Sequence, residues 1–186
     1  MSKFLSILAL LALASLACNL PLGGPKPPGD PIPVSEHAAE ELEHIWESID
    51  PIDLVDGQVE VVITEEQLTS FVALRLADDP ETPIQNPQIY LRDGQIQIYG
   101  IARTEDFSAP VLVKLTATPD TDGRPVFTIT DANFGPLPVP GTLLETISSN
   151  LNEALSGQLG VLAPAVEITS VVIADGELTI VGGLRE

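Results

Sequence analysis

The sequence predicts an α+β fold built on an antiparallel sheet, and two observations carry this prediction. Two stretches, 89–100 and 171–182, place an Asp-Gly pair between strands with alternating aliphatic residues, which is typical of tight hairpins. Amphipathic helical patterns are interleaved with the strands. Hairpins make antiparallel sheets, and amphipathic helices cover an apolar sheet face. The predicted order is helix, strand, helix, four strands, a proline-rich corner, a long helix and two strands.

The first predicted helix spans residues 36–49 and begins after Ser35, a favoured N-cap residue. Its apolar residues fall on one face and its glutamates on the other. His37 and His44 share this helix with two glutamates at helical spacings, so a metal site is conceivable. There is no His-Glu-x-x-His pattern, and we interpret the group as a solvated acidic face without a metal.

A short strand at 58–63 leads into the second predicted helix. Thr64 and Gln67 have the spacing of a capping box, in which each side chain binds the other residue's backbone N–H. Glu65 and Glu66 follow the cap directly. As a pair of carboxylates they suggest acid–base work, but acidic residues in a first turn also complement the helix dipole, and we favour that interpretation.

The two Asp-Gly pairs, at 93–94 and 175–176, fix the expected register of their hairpins because the side-chain period of a strand is two. The aliphatic residues of each hairpin then share one face. The predicted cross-strand pairs are Arg92–Gln95, Leu91–Ile96 and Ile89–Ile98 in the first hairpin, and Ile173–Leu178 and Val171–Ile180 in the second.

Two longer strands, 110–118 and 125–131, are predicted between the hairpins. The residues that join them contain Asp120 and Asp122, which resemble part of a calcium loop. The glycine comes two residues too early for an EF-hand, so we predict a plain turn.

A proline-rich corner, 135–140, follows the last of these strands. Because proline neither donates to a sheet ladder nor continues a helix interior, regular structure is expected to stop here. Thr142 and Glu145 then form a second capping-box pattern that opens a long helix reaching about residue 159. The apolar stripe of this helix consists of Leu143, Leu144, Ile147, Leu151, Ala154, Leu155 and Leu159.

The chain begins with a targeting pattern. Residues 1–17 have one lysine, a short apolar run and small residues at the end, which indicates a signal peptide rather than a membrane span of about 20 residues. Cys18, the only cysteine, follows directly and resembles the lipidated first residue of a bacterial lipoprotein. Ser15 stands where such signals usually carry Leu. The alternative is a plain secretion signal with a chance cysteine.

The composition separates a tether from a folded domain. Residues 18–34 hold the cysteine and a Pro/Gly-rich tether that has nothing to bury, and residues 35–186 have the size of one domain. The formal net charge is −19, and all acidic residues lie at or after Asp30. This disfavours nucleic-acid binding and docking on an anionic membrane by surface charge. Retention at a membrane therefore requires the lipid anchor.

Several short sequence segments, or phrases, resemble the tubular lipid-binding (TULIP) superfamily. The resemblance is to its small bacterial extracytoplasmic members of the YpmS and LmeA types. The phrases are Val61-Val-Ile-Thr-Glu-Glu-Gln-Leu-Thr-Ser-Phe71, the two Asp-Gly hairpins, and Asn133-Phe-Gly-Pro-Leu-Pro-Val-Pro140 before the long helix. The resemblance covers nearly all of residues 35–186. It implies a highly curved antiparallel sheet packed on the long helix, with acyl chains held in the groove between them and no catalysis.

We expect the groove to be lined by aliphatic side chains from the long helix and from the facing sheet. The helix candidates are Leu144, Ile147, Leu151 and Leu155; the sheet candidates are Ile96, Ile98, Val111, Val113 and Leu115. Such a lining suits an acyl chain, but the same composition describes an ordinary dry core.

Two functions remain open. The first is a lipid-anchored module, on the extracytoplasmic face of a bacterial membrane, that binds a lipid or another apolar ligand. The second is a structural or assembly lipoprotein that acts through contacts with a protein partner. An enzyme is disfavoured because the sequence has no Gly-x-Ser-x-Gly elbow, metal motif or P-loop, and we expect no cofactor.

Overall fold

The computed structural model describes five stretches of the chain, and these form two antiparallel sheets and two helices. The described residues are 23–47, 58–77, 84–103, 108–138 and 166–184. The helices are α1 (Glu36–Glu47) and α2 (Glu65–Ala77). The strands are β1 (Gln58–Thr64), β2 (Ile84–Arg92), β3 (Gln95–Arg103), β4 (Ser108–Pro119), β5 (Pro125–Phe134), β6 (Leu137–Pro138), β7 (Val166–Ala174) and β8 (Glu177–Leu184). The predicted α+β class is confirmed at this level. The predicted signal peptide and the predicted long helix both lie outside these stretches.

The strands divide between two sheets, whereas the sequence predicts one. A small sheet has the order β1-β8-β7, and a large sheet has the order β2-β3-β4-β5-β6. Apolar residues of both sheets enter one core cluster, which includes Ile63 and Leu178 of the small sheet and Leu91 and Leu115 of the large one. A hairpin with one apolar face can bury it against another sheet as well as within a longer sheet, and the sequence pattern does not distinguish the two.

Both hairpins have the predicted register. Leu91 pairs with Ile96, and Ile173 pairs with Leu178, as their turn positions require. Asp93 and Gly94 have φ values of 55° and 71°, and Asp175 and Gly176 have values of 48° and 93°. Positive φ at both central residues is the mark of a type I′ turn, whose twist matches that of the flanking strands.

The predicted starts of the first two helices are also confirmed, whereas the predicted start at Thr142 lies outside the described residues. The Ser35 hydroxyl accepts a hydrogen bond from the backbone N–H of Ala38 at 3.3 Å, which caps α1. At α2, the backbone N–H of Gln67 donates to Thr64 Oγ1 at 3.2 Å. The N–H of Thr64 donates back to Gln67 Oε1 at 3.0 Å. These two reciprocal bonds are a complete capping box.

The strand β7 crosses the large sheet near its hairpin turns. At one end, the backbone N–H of Ile168 donates to the carbonyl of Gly123, in the turn between β4 and β5, at 2.9 Å. At the other end, the N–H of Gly176 donates to the carbonyl of Leu91 on β2 at 3.0 Å. The small sheet therefore covers the turn-proximal part of the large sheet, while α2 packs beside β2 and α1 beside α2.

The turn between β4 and β5 is the plain turn that the sequence predicts. Asp120 Oδ1 accepts hydrogen bonds from the backbone N–H groups of Asp122 and Arg124, both at 2.8 Å. One carboxylate thus orders the loop in the manner of an Asx turn. The flanking strands extend beyond the predicted bounds, to Ser108–Pro119 and Pro125–Phe134.

The expectation that regular structure stops at the proline corner is wrong for two residues. Phe134 pairs with Leu137, and Asn133 pairs with Pro138, so the chain turns back at Gly135 and forms β6. Gly135 has a φ of 58°, which a residue with a side chain rarely adopts. β6 is an edge strand, where a proline is tolerated because one side of the strand has no ladder partner.

The Pro/Gly-rich segment contacts the domain, contrary to the expectation that it has nothing to bury. Ile32 packs against the outer face of the large sheet, on a cluster formed by Tyr90, Tyr99 and Leu112. The Gln88 amide binds both backbone groups of Ile32: Oε1 accepts from N–H at 2.6 Å and Nε2 donates to the carbonyl at 3.2 Å. We call residues 24–32 the strap.

Candidate functional site

The five sheet residues predicted to line a groove share the inner face of β3 and β4. Ile96 lies opposite Leu115, Ile98 opposite Val113, and Gly100 opposite Val111. We call the inner face formed by Ile96, Ile98, Val111, Val113 and Leu115 the apolar wall. The registers extend it sideways, to Leu91 and Ile89 on β2 and to Ile129, Ala132 and Phe134 on β5.

A bulge in β5 keeps this face apolar. Leu115 pairs with Ile129, but Lys114 pairs with Asp131, so Thr130 is the extra residue. Ile129 and Ala132 are three residues apart and would point to opposite faces in a regular strand. The inserted residue restores them to the same face, opposite Leu115 and Val113.

The wall is buried at its turn-proximal end and half-buried in its middle. Ile96 and Leu115, near the crossing of β7, are 7% and 4% exposed. Ile98 and Val113, one pair further from the turns, are half-buried although they also contact the core cluster. Val111 is buried again at 8% exposure. The middle pair is therefore the part of the wall that the core covers least.

Gly100 lies on the same face and leaves room for a neighbour. A Cβ built on Gly100 would lie 2.7 Å from the Ile84 side chain, a distance that real Cβ atoms do not show. Ile84 on β2 therefore covers the position where a longer residue would project. The wall gains an aliphatic surface at this point without a side chain from β3.

The side chains of the wall are all aliphatic, and this limits what it can do. Burial of hydrocarbon contributes roughly 25 cal/mol per Å² and has no directional preference. A nucleophile, a general base or a metal needs polar groups that the wall does not supply. The wall suits an extended hydrocarbon chain or the apolar stripe of a helix.

The other predicted site residues have no described geometry. Cys18 and the helix candidates, Leu144, Ile147, Leu151 and Leu155, lie outside the described residues. The structure therefore places the five sheet candidates on one face of the large sheet. The groove itself, and its helix half, stay predictions.

The outer face of the large sheet carries a second cluster that the sequence analysis missed. Tyr90 and Tyr99 pack edge to face, with ring centroids 5.7 Å apart and an interplanar angle of 87°. The Tyr90 hydroxyl donates to the carbonyl of Asp30 in the strap at 2.9 Å, and the Tyr99 hydroxyl donates to Gln97 Oε1 at 3.2 Å. In the first hairpin, both tyrosines alternate with the aliphatic residues of the inner face. This alternation in the sequence could have indicated an aromatic cluster on the outer face.

Burial raises the pKa of both tyrosine hydroxyls above their usual value. For Tyr90, the negative charges of Glu65 and Asp30 raise the pKa further, because they disfavour a phenolate nearby. Both groups therefore stay neutral at physiological pH and act as hydrogen-bond donors.

The first-turn glutamates of α2 have different environments. Glu65 Oε1 accepts from the backbone N–H of Leu91 at 2.7 Å, and its carboxylate pairs with the Arg92 guanidinium through both nitrogens. Glu66 is exposed. Glu65 thus joins the start of α2 to the end of β2, a role that neither the acid–base nor the dipole interpretation identified.

The histidines on α1 form no metal cluster. His37 Nε2 lies 3.3 Å from Glu41 Oε1, one turn along an exposed helix face. Across the described stretches, no three histidine, cysteine or acidic side chains are grouped as a metal site requires. Neither described helix has the length and apolar character to cross a membrane.

Comparisons with known proteins add no family to these observations. A scan against family models, a search of curated proteins and a search of solved structures each find no match to this chain. The resemblance to the TULIP superfamily therefore rests on short phrases of sequence, and what it implies about function stays a prediction.

Proposed function

We propose that this chain is a lipoprotein of a bacterial cell envelope, anchored through Cys18 to the extracytoplasmic face of a membrane, whose domain binds or carries a lipid or acyl chain without catalysis. The observation that supports the binding role best is the half-buried pair Ile98 and Val113 in the middle of an aliphatic wall. In this proposal, the large sheet curves around the predicted helix at 142–159, and the ligand lies between them.

The chemistry of the wall determines the kind of ligand. Each methylene that leaves water for such a surface contributes about 0.8 kcal/mol, so a long hydrocarbon chain gains binding energy over its whole length. The wall has no charged side chain to select a headgroup. We expect the protein to discriminate between ligands by chain length and shape, with the headgroup left at the mouth of the groove.

The test is native mass spectrometry of the full-length protein purified from membranes in mild detergent. The expected result is a bound apolar ligand in addition to the mass of the lipidated chain. Val113→Trp should reduce the bound fraction, because the larger side chain fills the half-buried middle of the wall. Val62→Trp is the matched control, since Val62 lies on the outer face of the small sheet and is 40% exposed.

A dry core predicts the opposite result for the same variant. If protein atoms already fill the space in front of Val113, the tryptophan overpacks it and costs roughly 1–3 kcal/mol of stability. A ligand-free wild-type protein, together with a large fall in the melting temperature of Val113→Trp, would refute the binding role.

The alternative function, assembly through a protein partner, is favoured by one surface feature. Val62 and Val172 both pair with Thr179 and form one row across the outer face of the small sheet. They are 40% and 51% exposed, and adjacent exposed apolar side chains of this kind can mark a protein contact. Chemical crosslinking in intact cells tests this role, since Val172→Glu should abolish a specific crosslinked complex and leave any bound lipid unchanged.

A further inference from the structure

The docked strap places the N-terminal end of the chain at one particular end of the domain. A Cβ built on Gly24 would lie 3.2 Å from Gly135 Cα and from the Pro110 ring, so Gly24 contacts the chain just before β6. The backbone N–H of Gly135 also donates to the Pro110 carbonyl at 2.7 Å, which joins the start of β4 to this turn. The strap therefore enters the domain at the turn between β5 and β6.

Docking shortens the reach of the anchor. Gly24 comes six residues after Cys18, and a fully extended chain of that length spans about 20 Å. If the strap were free, the domain would begin at Ser35, seventeen residues after the cysteine, and the reach would be about 60 Å. A lipid on Cys18 therefore holds the β5–β6 turn within about 20 Å of the bilayer.

The residue presented at this turn is apolar. Leu137 is 66% exposed, the highest exposure among the large hydrophobic side chains of the described residues. Pro136 beside it is also exposed. Leu137 has few protein contacts to give up at this position. Its side chain would bury apolar surface if it entered the interface of the nearby bilayer.

We propose that the β5–β6 turn is a membrane-contacting tip, with Leu137 inserted in the bilayer interface and the strap fixing the domain in that orientation. This inference rests on the lipid anchor of the proposed function. The partner is a neutral lipid surface, since a chain of net charge −19 has no electrostatic attraction to an anionic one. The half-buried pair Ile98 and Val113 lies between the β7 crossing and this tip, with the buried Val111 on the side nearer the tip.

The experiment measures the depth of single labelled positions on the lipidated full-length protein in phosphatidylcholine vesicles that contain brominated acyl chains. Leu137→Cys carries an environment-sensitive fluorophore at the tip. Thr121→Cys is the matched control, because Thr121 is exposed in the turn at the opposite end of β5, about 30 Å away for a strand of this length. We expect bromine quenching and a blue-shifted emission at position 137, and neither effect at position 121.

Release of the strap should reorient the domain. Ile32→Asp places a charge against the tyrosine cluster, and Val34→Asp places the same charge at an exposed position two residues later. Quenching at position 137 should be lost with Ile32→Asp and retained with Val34→Asp, while both proteins stay bound to vesicles and keep the circular dichroism of the wild type.

The outcomes separate the two proposals. If maleimide labels the unsubstituted protein, Cys18 has a free thiol, and both the lipid anchor and the membrane-contacting tip are overturned. A protein that is not labelled and is bound to vesicles, but shows no quenching at position 137 or equal quenching at both positions, would overturn the tip alone. Shielding of position 137 without bromine quenching would assign the turn to a protein contact and refute the lipid partner.

Discussion

A single hydroxyl, that of Thr69, binds both backbone groups of Ile89. Thr69 Oγ1 accepts from the N–H of Ile89 at 3.0 Å and donates to its carbonyl at 3.4 Å. Ile89 lies on β2, an edge strand of the large sheet, and Thr69 is fully buried in α2. The Thr69 hydroxyl thus supplies the hydrogen-bond partners that a neighbouring strand would otherwise give to Ile89.

The next edge residue of β2 is satisfied in a similar way. The backbone N–H of Leu91 donates to Glu65, and its carbonyl accepts from the N–H of Gly176 in the second hairpin. Between them, α2 and the β7–β8 turn satisfy the outward backbone groups of Ile89 and Leu91. This part of the edge therefore cannot pair with another chain.

We expect Thr69→Val to destabilise the protein by about 1–3 kcal/mol, because it leaves the buried N–H and carbonyl of Ile89 without partners while it conserves side-chain volume. Thr69→Ser retains the hydroxyl and should recover most of this loss. The measurement is the free energy of unfolding from denaturant titration. A Thr69→Val protein as stable as the wild type, or less destabilised than Thr69→Ser, would show that the hydrogen bonds to Ile89 contribute little at this position.

The paired glutamates of α2 provide a second matched comparison. Glu65→Ala should cost about 1–3 kcal/mol, because the buried N–H of Leu91 loses its acceptor and Arg92 loses its partner. Glu66→Ala removes an equivalent first-turn charge from an exposed position and should change stability by less than about 1 kcal/mol. If the two substitutions have equal effects in denaturant titrations, the helix dipole alone accounts for both residues.

The two hairpin glycines should respond differently to the same substitution. Both have positive φ, so Gly94→Val and Gly176→Val should each cost about 1 kcal/mol or more from backbone strain. Gly94 has open space around a built Cβ, whereas at Gly176 the Arg92 guanidinium lies at 3.4 Å and the Glu65 carboxylate at 3.7 Å. Gly176→Val should therefore be the more destabilising. A larger loss at Gly94 in thermal melts would contradict the docking of the second hairpin on Arg92.

Short-range rules in the sequence predicted local structure correctly. The Asp-Gly turns set the hairpin registers, and the Thr64–Gln67 spacing set the start of α2, because each depends on residues within a few positions of one another. The placement of Ile96, Ile98, Val113 and Leu115 on one face follows from the same period-two argument.

Contacts between distant residues could not be predicted in this way. The crossing of β7 depends on the bonds from Ile168 to Gly123 and from Gly176 to Leu91, which no local pattern encodes. Ile32 docks on the tyrosine cluster through Gln88, which lies 56 residues away in sequence. Composition correctly marks the strap as lacking regular structure, but composition does not show whether such a segment binds a surface elsewhere on the chain.

The last prediction concerns alkaline pH and uses the two tyrosines, the only ones in the chain. Burial raises the pKa of both hydroxyls in the folded state, so the folded protein holds its phenolic protons more tightly than the unfolded chain does. The resulting stability is fully present below the unfolded pKa of about 10 and is lost as the pH rises through the raised folded pKa. The melting temperature should therefore fall above pH of about 10, and the ultraviolet tyrosinate band should titrate later in the folded protein than in denaturant.

Tyr90→Phe identifies which tyrosine is linked to the strap. The variant removes the hydroxyl that binds Asp30, so the strap should become sensitive to proteases at neutral pH, as the wild type should at alkaline pH when Tyr90 ionises and can no longer donate. Tyr99→Phe removes a hydroxyl that binds Gln97 within the sheet and should leave the strap protected. Wild-type tyrosines that titrate at their ordinary pKa while the strap stays protected would show that neither hydroxyl is buried in the folded state.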